Sequence, residues 1–164
     1  MRVVSRVRRS GAPLVDVATV TTDGGGRFSA PVARGPSRTI GLRYDGGGDV
    51  LRGSRGVAVR VPAASTIRAS RTVLRGPGRV GFRGRLRTGG QPIPDRGLVV
   101  VLQGRADGRW QTFADTRTDR RGRWRASYRF RGIGGRYPVR ARIRRQAGYP
   151  YELGYSRRVT VRVG

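Results

Sequence analysis

The chain has 164 residues and a formal charge of +27, from 36 basic residues that are all arginine against 9 acidic ones; Lys, Asn, His and Cys are absent. Without Cys or His there is no disulfide framework, thiolate nucleophile, imidazole base or zinc site of the usual nitrogen and sulfur ligands. No run approaches the roughly 18 apolar residues of a membrane span, and the first twenty residues lack the apolar core of a signal peptide.

From the N-terminus, residues 2–30 align without a gap onto 98–126 at a spacing of 96 positions, pairing Val3 with Val99, Val4 with Val100, Arg9 with Arg105, Ala18 with Ala114 and Phe28 with Trp124. Near the ends of the two copies the spacing becomes 102, with Val57, Val59 and Val61 on Val159, Val161 and Val163. A repeat of this kind is one structural unit used twice. The first copy ends at Val61, and Pro62-Ala63-Ala64 reads as a short linker. Nothing in the first copy corresponds to residues 65–97, so it is expected to expose strand edges and the apolar side chains of Val17, Phe28, Ile40 and Leu42. The natural protein is therefore expected to continue upstream of Met1.

The second copy carries apolar residues at a period of two, the mark of strands with one buried face. About seven strands are predicted. A short one lies near Thr66–Ser70, and Val80, Phe82 and Leu86 mark the next. The run Leu98 to Leu102, apolar on both faces, suits a central strand, followed by one from Trp110 to Thr116. Trp124, Ala126, Tyr128 and Phe130 share one inward phase, as do Val139, Ala141 and Ile143, and Val159, Val161 and Val163 close the set. Glycine-rich turns at 88–90, 107–108, 120–122 and 132–135 separate several of these, and no long 3.6-residue stripe suggests a helix.

The order Gly108-Arg109-Trp110, then Thr118-Asp119 through Gly122-Arg123-Trp124, then Gly135 to Ala141 and Ser156 to Val163 resembles the bacterial immunoglobulin-like repeats of secreted and cell-surface proteins. The Thr-Asp-x-x-Gly-x-aromatic stretch is also similar to carboxypeptidase-regulatory-like sandwiches. The resemblance implies an all-β, immunoglobulin-like antiparallel β-sandwich, with one complete module at 62–164 preceded by a truncated module at 1–61. Such modules serve as spacers, stalks or adhesion units of exported proteins.

The candidate sites weigh mostly toward structure. Thr22, Asp23 and Gly26, and their counterparts Thr118, Asp119 and Gly122, fit a hairpin turn in which Asp accepts backbone amides and Gly takes a positive φ. A calcium site would need 6–8 oxygens, and Asp115 is the only other carboxylate close to Asp119. Tyr149, Tyr151 and Tyr155, with Glu152 and Arg145, form the most ligand-like loop, either a sugar platform or a cap on the sandwich end. Arg83, Arg85, Arg123, Arg125 and Arg129 should project outward from one sheet, and Arg140, Arg142, Arg144, Arg158 and Arg162 from the other. Charge on both outer faces points to GC-rich coding more than to a dedicated nucleic-acid groove, which would interleave exposed aromatics.

The sequence is thus read as a non-enzymatic structural or adhesion module from the C-terminal end of a longer extracellular or cell-surface protein. It has no cofactor or metal, and its partners are neighbouring domains, with a cell-wall polymer or other polyanion as a further partner and nucleic acid bound only non-specifically. Two alternatives stand beside it: a basic nucleic-acid or polyanion-binding protein, and a carbohydrate-binding module using the tyrosine loop.

Overall fold

The computed structural model describes every residue of the chain except Gly132. Among the described residues there is no helix, and thirteen strands form antiparallel sheets, with one parallel pairing. The chain divides into two compact units, Met1–Val61 and Pro62–Gly164.

The first unit is one antiparallel sheet in the order β2-β1-β3-β4, built from β1 (Arg2–Val7), β2 (Leu14–Thr19), β3 (Arg38–Tyr44) and β4 (Gly53–Val59). Val3 and Val4 are buried in its central strand. Ser37 ties β3 to the end of β4, its Oγ accepting from the Val61 amide at 2.9 Å. The segment 27–34, which matches a strand of the second copy, is not a strand here. Its expected partner strand has no counterpart in this unit, so its backbone has no ladder to join. Val17 and Phe28 stand exposed and Ile40 and Leu42 half-buried on this single sheet.

The second unit has two sheets. The smaller, β10-β7-β5, joins β5 (Arg68–Ala69), β7 (Gly78–Arg85) and β10 (Arg123–Phe130). The larger runs β6-β13-β11-β8-β9, from β6 (Val73–Leu74), β13 (Val159–Val163), β11 (Gly135–Ile143), β8 (Val99–Ala106) and β9 (Arg109–Arg117), with β12 (Gly154–Tyr155) on β11. Val80, Phe82 and Trp124 of the small sheet are buried, as are Val100, Leu102, Val139, Ala141, Ile143, Val161 and Val163 of the large one. This alternation is consistent with a β-sandwich whose core lies between the sheets. The two-residue strands β6 and β12 bring this unit to nine strands where periodicity predicts about seven. Strands so short carry no readable period. Of the glycine turn expected at 132–135, Gly132 lies outside the described residues, and Gly135 opens β11.

The pairing corrects the gapless match at the front of the repeat. Val3 pairs with Leu42 and Ile40 with Val57, as Leu102 pairs with Ala141 and Val139 with Val159. Both first hairpins carry a bulge, at Val3/Val4 and at Leu102/Gln103, and the partner residues skipped are Val17 and Phe113. Val3 is therefore the structural counterpart of Leu102, not of Val99. The cause is the turn. Asp107 and Gly108 turn β8 into β9 with φ of 49° and 74°, the pair of positive values a two-residue hairpin needs. The first unit has Ala12 and Pro13 where the gapless match places Gly108 and Arg109. Ala disfavours positive φ, and Pro lacks the amide and fixes φ near −65°. The loop between β1 and β2 widens to residues 8–13, and β1 slides by three residues.

Candidate functional site

Both Thr-Asp turns close in the same way. The amides of Gly25 and Arg27 donate to Asp23 Oδ1 at 2.9 and 2.8 Å, and those of Arg121 and Arg123 donate to Asp119 Oδ1 at 2.8 and 2.9 Å. Gly26 and Gly122 both take φ of 76°, in the region open to glycine. The Arg123 amide, and after it the Arg121 amide and both guanidinium charges, hold the Asp119 carboxyl below its ordinary range against a partial loss of solvation. Thr118 Oγ1 accepts from the Leu98 amide at 3.0 Å and is buried, while Thr22 is exposed. Each carboxylate is occupied by its own backbone, and among the described residues no three His, Cys, Asp or Glu side chains gather.

Two of the three rings of the tyrosine loop turn inward. Tyr149 and Tyr151 are buried, with ring centroids 4.7 Å apart, and the Tyr149 hydroxyl donates to Arg87 O at 2.8 Å. Burial raises the Tyr149 pKa, so the ring is held neutral. Arg145 pairs with Glu152 at 3.4 Å. The two rings cap the sandwich, because an amphipathic side chain gains by burying its face while its hydroxyl keeps a partner. Tyr155 is different, being 40% exposed.

The arginines divide between the sheets. Arg83, Arg85, Arg123, Arg125 and Arg129 lie exposed on the small sheet, where Arg85 faces Arg123, Arg83 faces Arg125 and Arg79 faces Arg129. Directly opposed like charges weaken a sheet. Arg140, Arg142 and Arg162 belong to the large sheet, and Arg144 and Arg158 flank its strands. Of the three aromatics in the inward phase of β10, Trp124 and Phe130 are buried but Tyr128 is 37% exposed. It lines a cleft of about 230 Å³, in an aromatic chain with Phe113 and Phe130 at 4.8 and 5.0 Å.

Periodicity missed one cluster on the outer face of the large sheet. Arg140 pairs in register with Gln103, Trp110 with Arg105, and Tyr155 with Arg142. The Arg140 Cζ lies 4.0 Å from the ring centroid of Trp110 and 4.0 Å from that of Tyr155. Its Nε donates to Oε1 of the buried Gln103 at 3.1 Å. A guanidinium between two π faces is held by cation–π attraction on both sides. Trp110 sits on β9 and Tyr155 on β12, so only sheet pairing brings them together. No helix among the described residues is long and apolar enough to cross a membrane. No protein-family model matches this chain, and no curated protein matches it in sequence.

Proposed function

We propose that this chain is a non-enzymatic structural or adhesion module of a larger secreted or cell-surface protein, built on an immunoglobulin-like repeat and partnered by that protein's neighbouring domains. The observation that supports this best is what the two units have in common. The order β2-β1-β3-β4 of the first unit recurs as β9-β8-β11-β13 within the six-stranded sheet of the second, and both units carry an aspartate-anchored turn, which are elements of scaffold. The absence of a second sheet in the first unit supports reading it as a truncated copy of the second. Arginines on the outer faces of both sheets, instead of along one groove, favour composition over a dedicated nucleic-acid site, with nucleic acid held only through phosphate charge.

The experiment is to label intact cells of the organism that makes the protein with an antibody against residues 62–164, and to treat those cells with protease. Labelling that protease removes without lysis is the expected result. An epitope reached only after lysis would overturn the reading.

A further inference from the structure

The Trp110–Arg140–Tyr155 cluster is an addition to the scaffold, and the internal repeat shows it. In the first unit the structural counterparts of Gln103, Trp110 and Arg140 are Val4, Leu14 and Gly41, and Ser54 stands opposite Arg43 where Tyr155 stands opposite Arg142. Val4 and Gly41 pair with each other just as Gln103 and Arg140 do, and Arg6 and Leu14 as Arg105 and Trp110 do. The same sheet therefore forms with four small or apolar residues in these places. All four differ together in the second unit, and what they assemble is a clamped cation between two aromatic rings.

We infer that this face is a binding site for an acidic polysaccharide, one whose pyranose rings carry carboxylates. The inference rests on the adhesion half of the function proposed above. Arg140 spends one N–H on Gln103 and keeps its remaining donors for a ligand, and a guanidinium fork matches a carboxylate in two parallel hydrogen bonds. Clamping the side chain between rings removes much of the rotamer entropy that binding would otherwise cost. The ring spacing chooses the ligand. The faces of both rings that meet Arg140, 4.0 Å from its guanidinium carbon, are taken up by that side chain, so a ligand reaches the rings only at their edges and outer faces, and an anion forked to Arg140 must lie next to the group that packs there. In an acidic sugar the carboxylate is attached directly to the pyranose ring, whereas in a nucleotide the sugar separates phosphate from base. Arg105, Arg136, Arg142 and Arg162 lie on the same face of the sheet and extend the positive surface along a polymer, with Asp115 the carboxylate sharing that face.

The test uses the purified full chain and polygalacturonate at about 150 mM salt, where charge contacts beyond a Debye length of about 8 Å are screened. Binding is followed by retention on the immobilised polymer and by tryptophan emission. Saturable binding is expected, lost when the polymer is methyl-esterified and its carboxylates are neutral. Arg140→Gln, Arg140→Lys and Trp110→Leu should each weaken it by roughly tenfold, because Lys keeps the charge without the fork and Leu is what the first unit carries. Arg125→Gln on the other sheet should change it less than about twofold, as expected of a screened surface charge. Equal losses for Arg140→Gln and Arg125→Gln, or full binding by Arg140→Lys, would overturn the site. So would displacement by dextran sulfate or oligo-dT at equal charge concentration, since the face would then read charge alone. Circular dichroism of each variant separates lost binding from lost fold, and cell labelling separately tests the module's location.

Discussion

The sharpest consequence of the two-unit structure is that equivalent aromatic residues differ in energetic weight. Trp124 and Phe28 match at the 96-residue spacing, yet Trp124 is 2% exposed and Phe28 39%. A Trp buries up to about 250 Å² on folding, worth about 5–6 kcal/mol at 25 cal/mol per Å². Compaction of the denatured chain removes about 10–40% of that. Truncation also loses the 2.9 Å hydrogen bond from Nε1 to Ser65 Oγ, worth about 1 kcal/mol. Trp124→Ala should therefore cost about 5–6 kcal/mol, slightly above the usual cost of truncating a buried Trp. Phe28 keeps roughly three-fifths of a smaller side chain covered, so Phe28→Ala should cost about 1–2 kcal/mol by the same reckoning. Urea unfolding of the full chain, followed by Trp110 emission for the second unit and far-UV circular dichroism for both, measures the two losses. A Trp124→Ala loss below about 1 kcal/mol, or a Phe28→Ala loss equal to it, would refute the assigned strand phase and the absence of a covering sheet on the first unit.

A Cβ at Gly84 would lie 2.0 Å from Thr66 O and 2.5 Å from Trp124 Cζ2, whereas at Gly104 its nearest neighbour would be 3.5 Å away. Gly84→Ala should thus destabilise the second unit by at least about 2 kcal/mol in urea and Gly104→Ala by far less; similar midpoints would contradict the packing of β7 under Trp124. Because the Asp119 carboxyl titrates lower in the folded state, its stabilisation is present above the unfolded value near 3.9 and disappears as pH falls through the lower folded value. Thermal melts between about pH 2 and 6 should show this acid dependence shrink in Asp119→Asn, and an unchanged profile would count against the turn. Hydrogen exchange of the monomeric chain should find β2 and β4 exchanging through local opening while β10 and β11 exchange only on global unfolding; equal protection would mean that the single sheet is complete as it stands.

Much of the architecture was legible because strands with one buried face impose a period of two. Val80 and Phe82, Val139 to Ile143, and Val159 to Val163 announce both their elements and their inward sides in this way. The Thr-Asp-x-x-Gly turn was legible for a different reason, since its hydrogen bonds run only two and four residues along the chain and depend on nothing distant. The gapless match of residues 2–30 to 98–126 is visible in the sequence, as is the want of any match to residues 65–97.

Tertiary structure alone decided the matters that depend on pairing. A gapless alignment takes no account of the positive φ demanded by Asp107 and Gly108 or of what Pro13 forbids, so the three-residue slide of β1 appears only once the ladders form. The burial of Tyr149 and Tyr151 against the exposure of Tyr155 and Tyr128 is set by which elements cover each ring, and local spacing contains no such information. Trp110, Arg140 and Tyr155 are apart in sequence and stand out there for three unrelated reasons, a Gly-x-Trp motif, an arginine stripe and a tyrosine loop, with nothing to join them. They meet because β8 and β11 set Arg140 beside Gln103, while β9 and β12 bring a ring to either side; contact across a sheet depends on register, which no single strand records.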